Sequence, residues 1–554
     1  MKNKKGFTLV ELLAVIVILA VIALIATPQV LGMIESARKG AAESSTLSYV
    51  DSVEKAIVSK TIMSSKDTNY DGKYTLIGNK LSKNDASLEL DLKGDKPDSN
   101  ASNEVTVEKG IVKEAYLKFG EYYVTYKNSN NEISYCSSKE GYLNNCSDKE
   151  IKDLTYKESI LNGADPVVEG DLLPVKINND GKVIYADPTE EWYKYADKKW
   201  ANAVILKDKT KTYKYGEEIP KSNIESYMVW IPRYRYKIFN LGNYDSITNV
   251  DNSINKTIEI VFEDKYTKAS TGTTVGSYLT HPAFTTFNTN GIWVGKFETT
   301  GTSSSITVKP SETSLRNLNI KTMFNLAYNY NRNLNSHMMK NTEWGSVTYL
   351  TYSKYGKNSK VRINNNSDYK TGYASVKEPT CGWTNSNETC NKYGTDSSVT
   401  IAYNTTTGYL ASTTGNITGI YDMSGGAHEY MASYMSGQVG ESGFTLSEIN
   451  SKVKYFDVYS STSSIYSYNN RILGDATGEL GPFGEFTSTG SDGVKKTYVT
   501  SFYSGVSRFV ASQYPWVYRG SYYGTGVLAG PSYFDRFTGS AHDGSVSFRL
   551  VLAN

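Results

Sequence analysis

Histidine and cysteine are both scarce, with four of each in 554 residues, and their scarcity excludes much chemistry. His281, His337, His428 and His542 are scattered, without the close spacing of metal ligands, and read as structural or surface residues. The cysteines fall as two close pairs, Cys136 with Cys146 and Cys381 with Cys390, each bracketing a turn-rich loop. Sequence alone cannot choose among their connectivities. Local disulfides, each contributing about 2–3 kcal/mol, are favoured over a four-cysteine zinc site. A charge excess is also missing: 59 Lys and Arg against 57 Asp and Glu leave a net charge of +2. No global field therefore draws nucleic acid or an acidic partner. There is no Walker loop, no Ser-His-Asp order and no basic stripe. The best basic patch, residues 206–214, reads as a solvated strand rather than a row of phosphate contacts.

What is present is ordinary for folded domains, at 39% hydrophobic and 21% charged residues, and the length suits roughly three domains. Tyrosine is the exception, at 45 against 17 Phe. So much tyrosine suits either binding surfaces or half-exposed strands of an exported β-rich protein.

The chain is organised around its first thirty residues. Lys2, Lys4 and Lys5 form a basic head, and the run from Phe7 to Ala26 carries one charge, Glu11. About 20 apolar residues at ~1.5 Å each span the ~30 Å of a bilayer core. The basic head should stay cytoplasmic, leaving the bulk of the chain outside. No small-residue cleavage site follows the run before Pro28; the processing signal is Gly6-Phe7, ahead of it. The stretch Lys5-Gly6-Phe7-Thr8-Leu9-Val10-Glu11-Leu12 resembles a type IV prepilin. The resemblance implies cleavage between Gly6 and Phe7 by a prepilin peptidase and methylation of the new amine on Phe7. It also implies a role for Glu11 in assembly, as partner of a neighbouring pilin subunit's N-terminal amine. An acidic residue inside a membrane helix costs up to about 3 kcal/mol, so it generally marks a function. The alternative is a plain anchor with an incidental Glu.

After Pro28 a helical stripe of Val30, Ile34, Ala37 and Ala41, then Leu47, Val50, Val53 and Ile57, predicts a helix to about Ser59. Strands are expected at Glu104–Val107, Ile111–Phe119, Tyr122–Lys127 and Glu132–Cys136. The expected organisation is an α+β multidomain chain. It comprises a leader (1–6), a transmembrane pilin helix (7–59), a small antiparallel β head (60–148), a β-rich connector or small β module (149–226) and a C-terminal domain (227–554).

Three stretches of that last domain carry a second resemblance: Gly291-Ile-Trp-Val-Gly-Lys-Phe-Glu298, Tyr421-Asp-Met-Ser-Gly-Gly-Ala-His-Glu-Tyr430, and Arg519-Gly-Ser-Tyr522 with Ser547-Phe-Arg-Leu550. Together they resemble the superfamily of formylglycine-generating enzymes and C-type-lectin-like proteins. The resemblance implies a compact α+β domain with a ligand face on its C-terminal loops. The superfamily's copper enzymes need two cysteines after the Arg519 stretch; none occurs beyond Cys390, so no enzyme and no cofactor is expected. Calcium stays open through Asp422 and Glu429, although Gly426 stands where the motif usually has Asn.

Residues 521–547 contain no Lys, Glu, Gln, Met or Trp. That composition resembles the C-terminal windows targeted by diversity-generating retroelements; a loop rich in Gly, Ser and Tyr gives the same result by default. The ligand, a glycan or a protein, is expected at Tyr518, Tyr522, Tyr523, Tyr533, Phe534, Arg536, Phe537, His542 and Asp543. The function expected is a surface-displayed minor pilin or pseudopilin presenting a non-catalytic ligand-binding domain. The alternatives are a structural pseudopilin of a secretion or DNA-uptake machine, and a catalytic formylglycine-generating relative.

Overall fold

A computed structural model describes, with short gaps, residues 41–60, 70–136, 165–237, 257–382, 391–460 and 472–553. The leader, the apolar run with Gly6, Phe7 and Glu11, and the residues Cys146, Cys390, His542 and Asp543 lie outside the described residues. Among the described residues no helix is long and apolar enough to cross a membrane. The chain divides into two compact units, Met1–Glu158 and Ser159–Asn554.

In the first unit, helical backbone at residues 45–57 buries Tyr49, Val50, Val53 and Ile57 along one face. Leu47, expected on that face, is 46% exposed, and Tyr49 supplies the contact instead. The helix packs on an antiparallel sheet of seven strands in the order Ala86–Glu89, Lys80–Lys83, Gly72–Ile77, Asn103–Glu108, Ile111–Phe119, Tyr122–Lys127, Glu132–Cys136. Glu54 Oε1 accepts the Val112 N–H at 3.0 Å, tying helix to sheet. Strand Ile111–Phe119 buries Ala115, Leu117 and Phe119 at the period of two, and a register shift opposite Thr106 and Val107 brings Val112 inward as well. The four expected strands are present. The three between Gly72 and Glu89 escape notice because Tyr74, Leu76, Leu81 and Leu88 are their buried apolar anchors amid Lys, Ser and Thr.

The second unit corrects the expected connector. Its short strands exist, but they form half of an eight-stranded sheet rather than a module of their own. The order is Glu218–Ile219, Val183–Tyr185, Leu172–Ile177, Asn202–Leu206, Ile224–Pro232, Gly291–Gly295, Leu550–Leu552, His337–Met338. The aromatics Trp192, Tyr193, Tyr195 and Trp200 belong to this unit's core. Residues 207–214, expected as a strand, are turn and loop after Leu206.

A second sheet holds the other motif stretches. His428–Met435 pairs antiparallel with Trp516–Gly520, which pairs with Gly530–Phe537; Asp457–Tyr459 and Val546–Phe548 lie parallel to His428–Met435. The helix Asn341–Thr351 is buried along its whole length. Its first turn is closed by Glu343, which accepts the Lys340 N–H at 2.8 Å and faces His337 Nε2 at 2.9 Å. The tyrosines also find a third use. Tyr234, Tyr195 and Tyr421 are core residues whose hydroxyls donate to Ser346 O at 2.6 Å, Trp230 O at 2.9 Å and Tyr403 O at 3.0 Å.

Candidate functional site

The three motif stretches meet at one guanidinium. Arg549, fully buried, directs Nε to Glu429 Oε2 at 2.9 Å and a second nitrogen to Glu429 Oε1. The same group donates to Gly295 O at 2.8 Å and Tyr421 O at 3.0 Å. One side chain from the terminal segment thus joins both sheets and the intervening loop. Asp422, the other calcium candidate, accepts from Asn364 Nδ2 at 2.9 Å and the Gly372 N–H at 2.8 Å. Glu298 accepts the Ala427 N–H at 2.9 Å on Oε1 and the Ser314 hydroxyl on Oε2. Burial, reinforced by the charges of Asp422 and Glu429, pushes the Glu298 carboxyl well above the usual range.

This packing accounts for Gly426. Its φ is +77°, and a Cβ there would lie 2.5 Å from Glu298 Oε1. Asn tolerates that backbone region, but its Cβ collides with a carboxyl that is held on both oxygens. Gly426→Asn is expected to destabilise the unit by about 1–3 kcal/mol, as overpacking of a core does. A melting temperature equal to that of the parent chain would contradict this.

Arg519 fixes the base of the C-terminal loops. It is buried and donates to Pro531 O at 3.0 Å and to the carbonyls of Asp475 and Ala476 at 3.3 Å. The chain then turns sharply: Ser521 adopts φ +76° and its N–H returns to Arg519 O at 2.8 Å. The loop is pinned where Tyr523 N–H meets Gly426 O at 3.0 Å and Val527 N–H meets Cys381 O at 3.0 Å. Gly526 is required there, since a Cβ would fall 1.9 Å from Cys381 O. Cys381 is buried, and no cysteine is free among the described residues.

Against this frame lies a cavity of about 510 Å³ lined by Tyr369, His428, Arg508, Tyr514, Tyr518, Tyr522, Thr525, Tyr533, Asp535, Arg536, Phe537 and Ser545. Five of the nine expected ligand residues line it: Tyr518, Tyr522, Tyr533, Arg536 and Phe537. Tyr523 is not among the lining residues; its ring packs on Tyr369 and Tyr522 at centroid distances of 5.1 and 5.3 Å. Phe534 is a core residue, packed edge-on against Phe509 at 5.0 Å. His542 and Asp543 lie outside the described residues.

The cavity's organising group is Asp535. Its carboxylate, 1% exposed, accepts from Arg508, from Tyr518 OH at 3.1 Å, from Tyr533 OH at 3.2 Å and from the Arg536 N–H at 2.8 Å. Burial and the Asp535 charge hold both tyrosine hydroxyls far above their ordinary pKa, so they stay protonated and donate. Burial alone would lower the Arg508 pKa, but Asp535 raises it. The His428 ring stands 4.4 Å from Tyr518 and 5.3 Å from Tyr522, completing an aromatic wall. Of the other histidines, His281 and His337 are buried, His281 with its pKa lowered by burial to about 3.

Sequence reasoning missed Asp535, which sits between two residues it did select, and His428, which lies inside a stretch it had singled out. It had no signal for Arg508, Tyr369 or Tyr514, which reach the cavity from distant loops. Tyr533 also carries a consequence for mutagenesis: at 4% exposure and bonded to Asp535, its loss damages the core as well as the cavity.

Among known proteins, the model of the prokaryotic N-terminal methylation motif matches residues 1–27. No curated protein matches the chain. The chain carries a type IV pilin-like N-terminus.

Proposed function

We propose that this protein is a surface-displayed minor pilin or pseudopilin that presents a non-catalytic, C-type-lectin-like binding domain for adhesion or recognition. Its N-terminus is cut between Gly6 and Phe7 by a prepilin peptidase, anchors the chain in the membrane and assembles with other pilin subunits. The methylation motif at residues 1–27 supports the first half of this reading. The observation that carries the second half is the aromatic cavity at strands Trp516–Gly520 and Gly530–Phe537 and the loop after Gly520, with Tyr522 and Asp535 both in its wall. The meeting of the three motif stretches at Arg549 supports the lectin-like reading of the fold. Local pairing of Cys136 with Cys146 and Cys381 with Cys390 belongs to the same reading, as does the absence of a required metal.

Assembly has a direct test. Glu11→Ala removes an acid from the apolar run, so membrane insertion is retained or improved, while the neighbour's amine loses its partner. The variant is expected in the membrane fraction at parental levels and depleted from the sheared surface fraction. Equal amounts of parent and variant in the sheared fraction would remove Glu11 from assembly.

A further inference from the structure

A second cleft, of about 550 Å³, opens between the helix Ile320–Tyr330 and the hairpin of Thr300–Thr302 with Ser305–Thr307. It shares no lining residue with the C-terminal cavity. The helix buries Ile320, Met323, Phe324 and Ala327 on its inner side. The positions it gives to the cleft, Thr322, Asn325, Leu326, Asn329 and Tyr330, follow the i, i+3, i+4, i+7 spacing of one face. Thr322 is used in starting the helix, its N–H and hydroxyl both going to Asn319 Oδ1 at 3.0 and 2.8 Å. Asn325 and Asn329 have no such use. Asparagine is a poorer helix former than alanine, and neither carboxamide has a hydrogen-bond partner among the described residues. A local cost without a local partner marks a residue kept for contact outside the chain.

The rest of the wall has the same character. Residues 303–306 add three serine hydroxyls and the buried Ile306, on a hairpin clasped by the Thr300 and Thr307 hydroxyls at 2.7 Å. The Tyr330 hydroxyl donates to Ser226 Oγ at 2.9 Å, and burial together with the Glu225 charge keeps it protonated. Glu225 is the one charged side chain among the described lining residues. Lys321, the nearest cation along the helix, is paired with Glu448 at 2.7 Å. An anionic ligand would therefore meet a carboxylate rather than a cation in this wall. Leu326 and Ile306 are its only aliphatic side chains, too few to seat the apolar anchors of a peptide. Carboxamides and hydroxyls both donate and accept, which is what the hydroxyls of a sugar require. The volume lies within the range of small-molecule sites.

We propose that this cleft binds a neutral oligosaccharide, with Asn325 and Asn329 exchanging hydrogen bonds with its hydroxyls and Glu225 accepting from one of them. The site goes beyond the reading above and stands apart from the C-terminal cavity. The test titrates the full chain in detergent with three neutral probes: maltotriose, cellotriose and triacetylchitotriose. The cationic chitotriose, the anionic trigalacturonate and an uncharged Ser-Gly repeat peptide complete the set.

At least one neutral trisaccharide is expected to bind at millimolar concentration or below, more tightly than trigalacturonate. The double variant Asn325→Ala, Asn329→Ala should weaken it about tenfold or more, through two lost hydrogen bonds. Its melting temperature should be unchanged or raised, since alanine is the better helix former and no internal bond is lost. Should the double variant fail to fold, Asn329→Ala alone, at an exposed position, is expected to weaken binding about threefold or more. Glu225→Gln keeps an acceptor oxygen, so it should retain part of the neutral binding and narrow the discrimination against trigalacturonate. Neutral binding that is undiminished in the folded asparagine variants overturns this proposal and leaves the C-terminal cavity as the ligand site. Tighter binding of chitotriose overturns the neutral class, and tighter binding of the peptide overturns the sugar. Failure of all three neutral trisaccharides to bind at millimolar concentration overturns the proposal.

Discussion

Arg549→Ala is expected to cost the second unit about 3–5 kcal/mol, the penalty for breaking a buried pair by removing one partner. Three consequences combine. Glu429 keeps its burial and loses its bidentate cation, so it must take up a proton or unfold its surroundings. The carbonyls of Gly295 and Tyr421 lose the donors at 2.8 and 3.0 Å that satisfied them. The vacated volume lies beside Trp344, whose ring faces the guanidinium at 5.9 Å. Arg549→Lys should recover little, since one ammonium cannot reproduce a planar fork reaching a carboxylate and two separate carbonyls. The denaturation midpoint of the full chain measures this, with the first unit, Met1–Glu158, followed separately by hydrogen exchange. A loss below about 1 kcal/mol, the range of an exposed pair, would show that Arg549 does not join the sheets.

Glu298→Gln is expected to stabilise the protein at neutral and alkaline pH and to flatten its pH dependence. Three carboxyls, Glu298, Asp422 and Glu429, share one region with a single guanidinium. Glu429 holds that guanidinium, and Asp422 accepts the donors of Asn364 and Gly372. Burial raises all three carboxyls, Glu429 to about 7, and it lifts Glu298 well above the usual range, so Glu298 is the group that keeps its proton. The sign follows from linkage. The native state holds this proton above the pH, about 4.3, at which an unfolded glutamate releases it. Unfolding then releases a proton, so stability falls as pH rises from the unfolded value toward the folded one, by at most about 1.4 kcal/mol per pH unit. Glutamine keeps an oxygen for the Ala427 N–H and offers an N–H to Ser314, whose hydroxyl can donate to Tyr369 O at 3.1 Å. Melting temperatures from pH 5 to 9 should diverge, with the variant gaining most at high pH. A parallel pair of curves would mean that Glu298 is ionised in the folded protein.

The elements that sequence reasoning found are those whose signal is local. Ile111–Phe119 announces itself by alternation, and Arg519, Glu429 and Arg549 stand in stretches whose order along the chain is informative. The connector escapes a correct reading because its strands are short and punctuated by Pro166 and Pro174, while Ile224–Pro232, the partner of Asn202–Leu206, straddles the expected boundary at 226. The site was half visible for the same reason. Tyr522, Arg536 and Phe537 come from one window, but Arg508 and Tyr369 enter through tertiary packing that no spacing encodes. Phe534 and Tyr533 alternate on a strand whose neighbours bury both, so aromatic content alone could not separate wall from core.

Processing and display as a pilin-like protein leave their mark at the N-terminus. The most direct measurement is the mass of the mature N-terminal peptide, taken from protein sheared off cells with an active prepilin peptidase. A chain beginning at N-methylated Phe7 is expected. A surface protein that still begins at Met1, or one cut after Ala26, would contradict it.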